Sequence, residues 1–357
     1  MFRMKTSNTK WVSGLLAASM VWTGVTWTSS TASAASPFKD VKEGYWAEKH
    51  ITKLALQGIL KGGTGGQFNP SNAITREEAV IIALRFMGVA DEVKPSDVLV
   101  FPSSLVIKED YKPYIKLAVQ KKILFIEEEV ALAEKEAGKD WGKSPATREW
   151  MTRLLVRAIG KDADAKLAAS KATSFGDDGK IDALLKGYVN VAVSSGLVTG
   201  VTATKFDPQA SVTREMASTL FSRAESQISI VYSGQVSGTL MSASADKLTL
   251  LLTDGSSKEY ALSPTASIYG FNTDTTTAIG SLKQYGEVTL ISNADGTIGY
   301  VEQTSETAKV KTVEGTLRLV VESKARLTLS VNGNDEDYIT ILIISRPLRM
   351  PMGNRLQ

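Results

Sequence analysis

The chain has 357 residues, with 41 Lys and Arg against 38 Asp and Glu, one His and no Cys. That length allows two or three domains with real cores, and 43% hydrophobic with 22% charged residues fits a folded chain. Without cysteine there is no disulfide framework, thiol nucleophile or Cys-based zinc site, and a single histidine excludes multi-His metal centres and leaves little for His-centred acid–base catalysis.

The formal charge of +3 raises the question of a nucleic-acid or acidic-surface partner. Position answers it. The first 35 residues hold Arg3, Lys5 and Lys10 and no acid, which is the whole excess. An uncharged run, WVSGLLAASMVWTGVTWTSSTASAA, follows and ends near Ala32-Ser33-Ala34. Basic start, apolar middle and small-residue exit read as a secretory signal peptide over 1–34. The competing reading is an N-terminal anchor helix, but Ser, Thr and Gly interrupt the run and a cleavage signature closes it. The chain after removal is neutral, so no nucleic-acid partner is expected. No later stretch approaches the roughly 18 apolar residues of a membrane span.

Two segments then repeat. Residues 37–88 read PFKDVKEGYWAEKHITKLALQGILKGGTGGQFNPSNAITREEAVIIALRFMG, and a second copy begins at Ser174. A constant offset of 138 carries Gly58 onto Gly196, Phe68 onto Phe206, Pro70 onto Pro208 and Thr75-Arg76-Glu77 onto Thr213-Arg214-Glu215. A weaker copy lies between them, with Tyr114-Ile115 on His50-Ile51 and Thr147-Arg148-Glu149 restoring the motif after an insertion of eight. Each unit reads as helix–loop–helix. Trp46, His50, Ile51 and Leu54 form an apolar stripe, and Gly58 ends that helix. The second helix opens at Thr75, with Glu78 completing a capping box, and runs to Gly88. A helix pair of this size buries too little surface to fold alone, whereas three packed copies can.

Thr is a usual N-cap. Arg immediately after it sits at the positive end of the helix dipole, at a cost of a few tenths of a kcal/mol up to about 1. Together with free helix N–H groups, that Arg could hold a carboxylate or phosphate. The blander reading is an Arg that pairs with a nearby acid and only joins the units.

Phe38-x-Asp40-Val41, Trp46-Ala47, Gly58-Ile59-x-x-Gly62, Gly66-x-Phe68-x-Pro70 and Ile74-Thr75-Arg76-Glu77-Glu78 resemble an S-layer homology (SLH) repeat. Residues 37–226 resemble three in tandem, at 37–90, 96–160 (degenerate) and 174–226. The resemblance implies an all-α, three-repeat, pseudo-threefold helical bundle. It also implies grooves that bind secondary cell-wall polysaccharide, often bearing ketal-linked pyruvate, without covalent attachment. The implied groove residues are Arg76, Arg148 and Arg214, Asp40 and Asp177, and Trp46. A pyruvate carboxylate suits a guanidinium, and a sugar face suits an indole. At the Trp46 position the other units have Asp110, with Tyr111 beside it, and Leu184. The middle unit also replaces the Gly-rich turn with FIEEEVALAEKEAGKDWGKSP, an acidic run that repels an anionic glycan or, more blandly, forms a solvated helix face. One groove is therefore expected to be fully equipped, built from Asp40 and Trp46 with Arg214 by ring closure. His50 is expected to pack.

From about residue 228 the chain turns to short β-rich runs with Gly, Asn and Asp turns, expected as all-β barrel or sandwich modules at 228–305 and, in part, 306–344. Ser237-Gly238-Thr239-Leu240 with Lys247-Leu248-Thr249-Leu250 resembles Glu314-Gly315-Thr316-Leu317 with Arg326-Leu327-Thr328-Leu329, and Tyr260 and Tyr338 follow. Asn332-Gly333 and Asp254-Gly255 suit tight turns. No cofactor is expected. Calcium at Asn334-Asp335-Glu336-Asp337 is the weaker reading beside plain turn acidity. Residues 345–357 carry three Arg, two Pro and no acid, which reads as a truncated or frameshifted end.

The fold expected is thus multidomain, helical bundle first and β modules after. The function expected is not enzymatic: anchoring of a secreted, S-layer-like protein to the cell wall of a Gram-positive bacterium, with self-association in a lattice as a further expectation. The alternatives are an SLH-anchored glycan hydrolase whose catalytic part is missing, and an adhesive surface module.

Overall fold

The computed structural model describes residues 36–94, 100–310, 316–321 and 326–339. The expected signal peptide (1–34) and atypical tail (345–357) lie outside the described residues. No helix among the described residues is long and apolar enough to cross a membrane.

The helical part holds α1 (Glu48–Leu56), α2 (Arg76–Phe86), α3 (Lys112–Gln120), α4 (Ile126–Lys135), α5 (Arg148–Ala158), α6 (Asp162–Leu167), α7 (Lys186–Ser194) and α8 (Arg214–Ala224). Thr75, Thr147 and Thr213 cap α2, α5 and α8 in the same way, each hydroxyl accepting from the N–H three residues on. Only α2 adds the reciprocal Glu78 of a full capping box. Gly58 and Gly196, at φ 75° and 70°, turn the chain after α1 and α7 through left-handed backbone.

These helices form one core. The inner helices α2, α5 and α8 pack on one another, and every residue of α5 except Arg148 is buried. Phe86 of α2 and Phe221 of α8, both fully buried, meet at 5.2 Å between ring centroids. Burying a side chain of this size contributes about 2–3 kcal/mol. The outer helices follow a consistent order: α3 lies on α2, α7 on α5, and α1 on α8. Each outer helix therefore packs on the inner helix that precedes it, and α1 closes the circuit. The segments before the inner helices join in a cycle of 2.9 Å hydrogen bonds. Ile74 N–H donates to Val212, Val212 to Ala146, and Ala146 back to Ile74.

The β part begins with β1 (Gln235–Ala243), β2 (Lys247–Leu251), β3 (Ser257–Tyr269), β4 (Glu287–Ser292) and β5 (Ile298–Ser305). They close a barrel in the order β1-β2-β3-β5-β4, parallel only between β3 and β5. Alternating Leu248 and Leu250, Val288 and Leu290, and Ile298 fill its interior. Then β6 (Thr316–Val321), β7 (Arg326–Val331) and β8 (Asn334–Ile339) form a three-stranded sheet. It repeats the barrel's first three strands in register: Leu240 faces Leu250 as Leu317 faces Leu329, and Leu248 faces Tyr260 as Leu327 faces Tyr338. Even the bulge recurs, between Leu240 and Ser242 and between Leu317 and Leu319. Asn332 and Gly333, both at positive φ, make the tight turn their sequence calls for.

The barrel docks on α1 through buried charge. Lys49 and Lys53 each reach Glu302 at 2.9 Å, and Lys53 also reaches Glu225 at 2.7 Å. His50 is buried as expected, but at this junction: its Nδ1 is 3.0 Å from Ser222 Oγ and its Nε2 4.0 Å from Asp274.

Candidate functional site

Asp40 builds a turn. Its carboxylate accepts from Phe68 N–H at 2.7 Å and Asn69 N–H at 2.6 Å. Asp177 does the same for Phe206 and Asp207, each at 2.8 Å. Asn69 and Asp207 sit at φ 55° and 61°, backbone that Asn and Asp tolerate better than most residues. Burial works to raise the Asp40 carboxyl, but the two backbone donors and the Arg214 charge outweigh it and hold it below the usual carboxylate range.

An arginine locks each turn from the other side. Arg214 Nε donates to Phe68 O at 2.8 Å and its Nη2 to Lys61 O at 2.9 Å, with the guanidinium 4.5 Å over the Phe68 ring. Arg148 repeats this on Phe206 O, Thr199 O and the Phe206 ring at 2.8, 3.0 and 5.0 Å. Asp40 and Arg214 thus meet across one turn, and Asp177 and Arg148 across another.

The helix N–H groups are not free, contrary to the sequence reading. Arg214 and Glu215 N–H donate to Asn72 O and Pro70 O; Arg148 and Glu149 to Ala210 O and Pro208 O; Arg76 and Glu77 to Ser144 O and Gly142 O. The next N–H in each helix goes to the capping threonine. Any anion is left to the guanidinium groups.

Arg76 departs from the other two arginines. It is 1% exposed, and its Nη1 and Nη2 form a bidentate pair with Glu136 at 2.8 and 2.9 Å. Its buried Nε has no partner. The acidic run has two sides: Glu127 and Glu134 are exposed, a solvated face, while the opposite side is drawn into ion pairs. Glu129 of α4 is buried and receives Trp141, Trp150 and Arg153, while Glu128 receives Arg153 and Arg157. Charge partners on α5, distant in sequence, turn the Glu129 side of the run into core.

Two cavities flank these arginines. One of about 310 Å³ lies at Arg76 and Glu136, walled by Leu132, Leu184 and Tyr188. The other, about 430 Å³, is lined by Arg214, Lys61, Arg85, Asn69, Asn72, Glu78 and Tyr111. Arg214 Nη1 takes no part in the two carbonyl bonds and stands 3.7 Å from Glu78 Oε1. Trp46 is not among the lining residues of this cleft. It is 50% exposed, beside Tyr45, whose hydroxyl donates to Glu215. Two aromatics line the Arg214 cleft: Phe68, buried beneath the guanidinium, and Tyr111, which the sequence showed only as a neighbour of the residue replacing Trp46. Lys61, Asn69, Asn72 and Arg85 carried no motif that singled them out. Among the described residues, no cluster of His, Asp and Glu has a metal-holding arrangement, and Asp335 lies 3.6 Å from Arg318.

Residues 37–80 and 174–217 match the family model of the S-layer homology domain. An S-layer protein of Bacillus thuringiensis subsp. finitimus is 29% identical over 223 residues, 61% of this chain and 24% of that protein. An amylopullulanase of Thermoanaerobacterium thermosulfurigenes is 27% identical over 183 residues (51% and 9%), and an exoglucanase XynX of Acetivibrio thermocellus 28% over 184 (51% and 16%). The chain spans less than a quarter of the length of each of these relatives.

Proposed function

We propose that residues 37–226 anchor a secreted, S-layer-like surface protein to the cell wall by non-covalent binding of an anionic, pyruvylated polysaccharide. In this reading 96–160 is a divergent middle unit, and the cycle of Ile74, Val212 and Ala146 is the axis of a pseudo-threefold bundle. The observation that carries the proposal is the Arg214 cleft. Its guanidinium is fixed by two carbonyl bonds and keeps one nitrogen out of them, at the wall of a cavity with Lys61 and Arg85. A pyruvate carboxylate fits that charge, Asn69 and Asn72 suit sugar hydroxyls, and the Tyr111 ring suits a sugar face.

Arg148, on the matching turn, serves a second cleft. In this reading Trp46 belongs to it, which the order of packing supports: Tyr111 precedes α3, which lies on α2, and Trp46 precedes α1, which lies on α8. The Arg76 position is closed, because Glu136 takes the nitrogens a ligand needs. The enzyme names among the relatives favour a second reading, a surface enzyme whose catalytic part lies outside this sequence; anchoring is common to both.

The test is cosedimentation of the full chain with purified cell walls before and after removal of the polysaccharide. Binding is expected to be lost with the polysaccharide, and to weaken on Arg214→Gln and on Arg148→Gln. Equal pelleting with stripped peptidoglycan sinks the mechanism.

A further inference from the structure

Glu78 shares the cleft with Arg214 and divides its two oxygens between two tasks. Oε2 belongs to the helix start, accepting from Thr75 N–H at 3.0 Å and from Thr75 Oγ1 at 3.1 Å. Oε1 stands 3.7 Å from Arg214 Nη1, inside ion-pair range and too far for a hydrogen bond. Nε and Nη2 of the same guanidinium are held by Phe68 O and Lys61 O. One nitrogen and one carboxylate oxygen therefore face each other across a gap at the cavity wall.

An anion that reaches Nη1 must come close to the Glu78 charge, and that repulsion is strengthened by the partly dry surroundings. A ligand escapes it if a hydroxyl or amide N–H beside its own carboxylate donates to Oε1. The ligand then fills both sides of the gap, and the charge that repels a bare anion becomes an acceptor for the right one. This arrangement is peculiar to one cleft. The residue three places after the capping threonine is Glu78 in α2, Trp150 in α5 and Met216 in α8. On the turn that Arg148 holds, the nearby acid Asp207 is engaged with Lys205 at 3.2 Å.

We propose that Glu78 is a specificity-determining residue of the Arg214 cleft: it selects carboxylated sugars that carry a hydrogen-bond donor beside the carboxylate and disfavours anions that lack one. The proposal rests on the glycan-binding reading above. Substitution by Gln separates charge from capping, since Gln serves equally as the third residue of a capping box.

The test is calorimetric titration of the full chain carrying Arg148→Gln, so that the Arg214 cleft alone reports. The probes are a pyruvylated methyl glycoside with free ring hydroxyls and the same glycoside with those hydroxyls methylated. The unsubstituted cleft should prefer the free-hydroxyl probe. Glu78→Gln should tighten the methylated probe by about tenfold and move the other by less than about threefold. Glu78→Met, which installs the residue found in α8, should act in the same direction and covers a loss of capping in the first variant. Equal changes for both probes, or no change, overturn the proposal. If the cleft binds neither probe, or if Arg214→Gln leaves the affinities unaltered, the glycan reading falls and this inference falls with it.

Discussion

Lys122 sits at φ 60°, directly after α3, where the corresponding residues after α1 and α7 are Gly58 and Gly196. All three units turn through the same left-handed backbone, and only the middle one asks a side chain to do it. Such a conformation costs a non-glycine residue about 1–2 kcal/mol, part of which a glycine returns through its larger unfolded-state entropy. Lys122→Gly is therefore expected to raise stability by about 0.5–1 kcal/mol, read as a shift of the urea midpoint at unchanged slope. A midpoint that falls shows that the turn is not strained. Asn69 and Asp207 meet the same demand with residue types suited to it, and they do so at the turns that Asp40 and Asp177 tie down.

At the scale of the element, α4 is where the middle unit differs most. Glu136, just beyond it, closes on Arg76, and burial of that pair leaves Arg76 Nε already without a partner. The Arg76 bonds outweigh burial and hold the Glu136 carboxyl below its usual range. Glu136→Gln is expected to cost about 1–3 kcal/mol, because Arg76 stays buried and loses its counter-charge. Arg76→Met combined with Glu136→Leu should recover most of that loss in thermal melts. A double variant no better than the single one contradicts this account. The same element marks the limit of what the sequence discloses. Repeat offsets expose Thr75, Thr147 and Thr213 as helix starts, because capping is local chemistry written in adjacent residues. The pairing of Glu128 and Glu129 with Arg153 and Arg157 is not local: it depends on how α4 lies against α5, and no spacing rule encodes that. Counting around the ring can place Asp40 and Arg214 on one turn, but it does not show that Tyr111, and not Trp46, lines that cleft beside Phe68.

For the molecule as a whole, the junction of bundle and barrel contributes to the response to acid. Burial depresses His50 to about 4, with the Asp274 charge opposing in part. The unfolded chain takes up that proton near pH 6.5, so the stability contributed by neutral His50 is present above that pH and is lost as pH falls toward 4. Burial works to raise Glu302, but Lys53 and Lys49 hold it at about 2, so its contribution is lost between about pH 4.5 and 2. Glu225, raised by its own burial, has the opposite sign. Unfolding followed from pH 8 to 3 should show a loss of stability that begins near 6.5. His50→Gln should flatten the stretch between 6.5 and 4 and leave the lower limb in place. A profile for His50→Gln parallel to that of the parent chain argues against a buried neutral imidazole.

The closed order of the helices has a mechanical side. Going round the circuit, α2 passes to α3 and α5 to α7 along the chain itself, whereas α8 packs on α1 with no loop between them. Lys53 of α1 holds Glu225, next to the end of α8, and Glu302 of β5 at the same time. The barrel is thus a clasp on the one seam the polypeptide leaves open. Tension applied to the β end is expected to load that seam, with the Lys53 pairs to Glu225 and Glu302 holding against it.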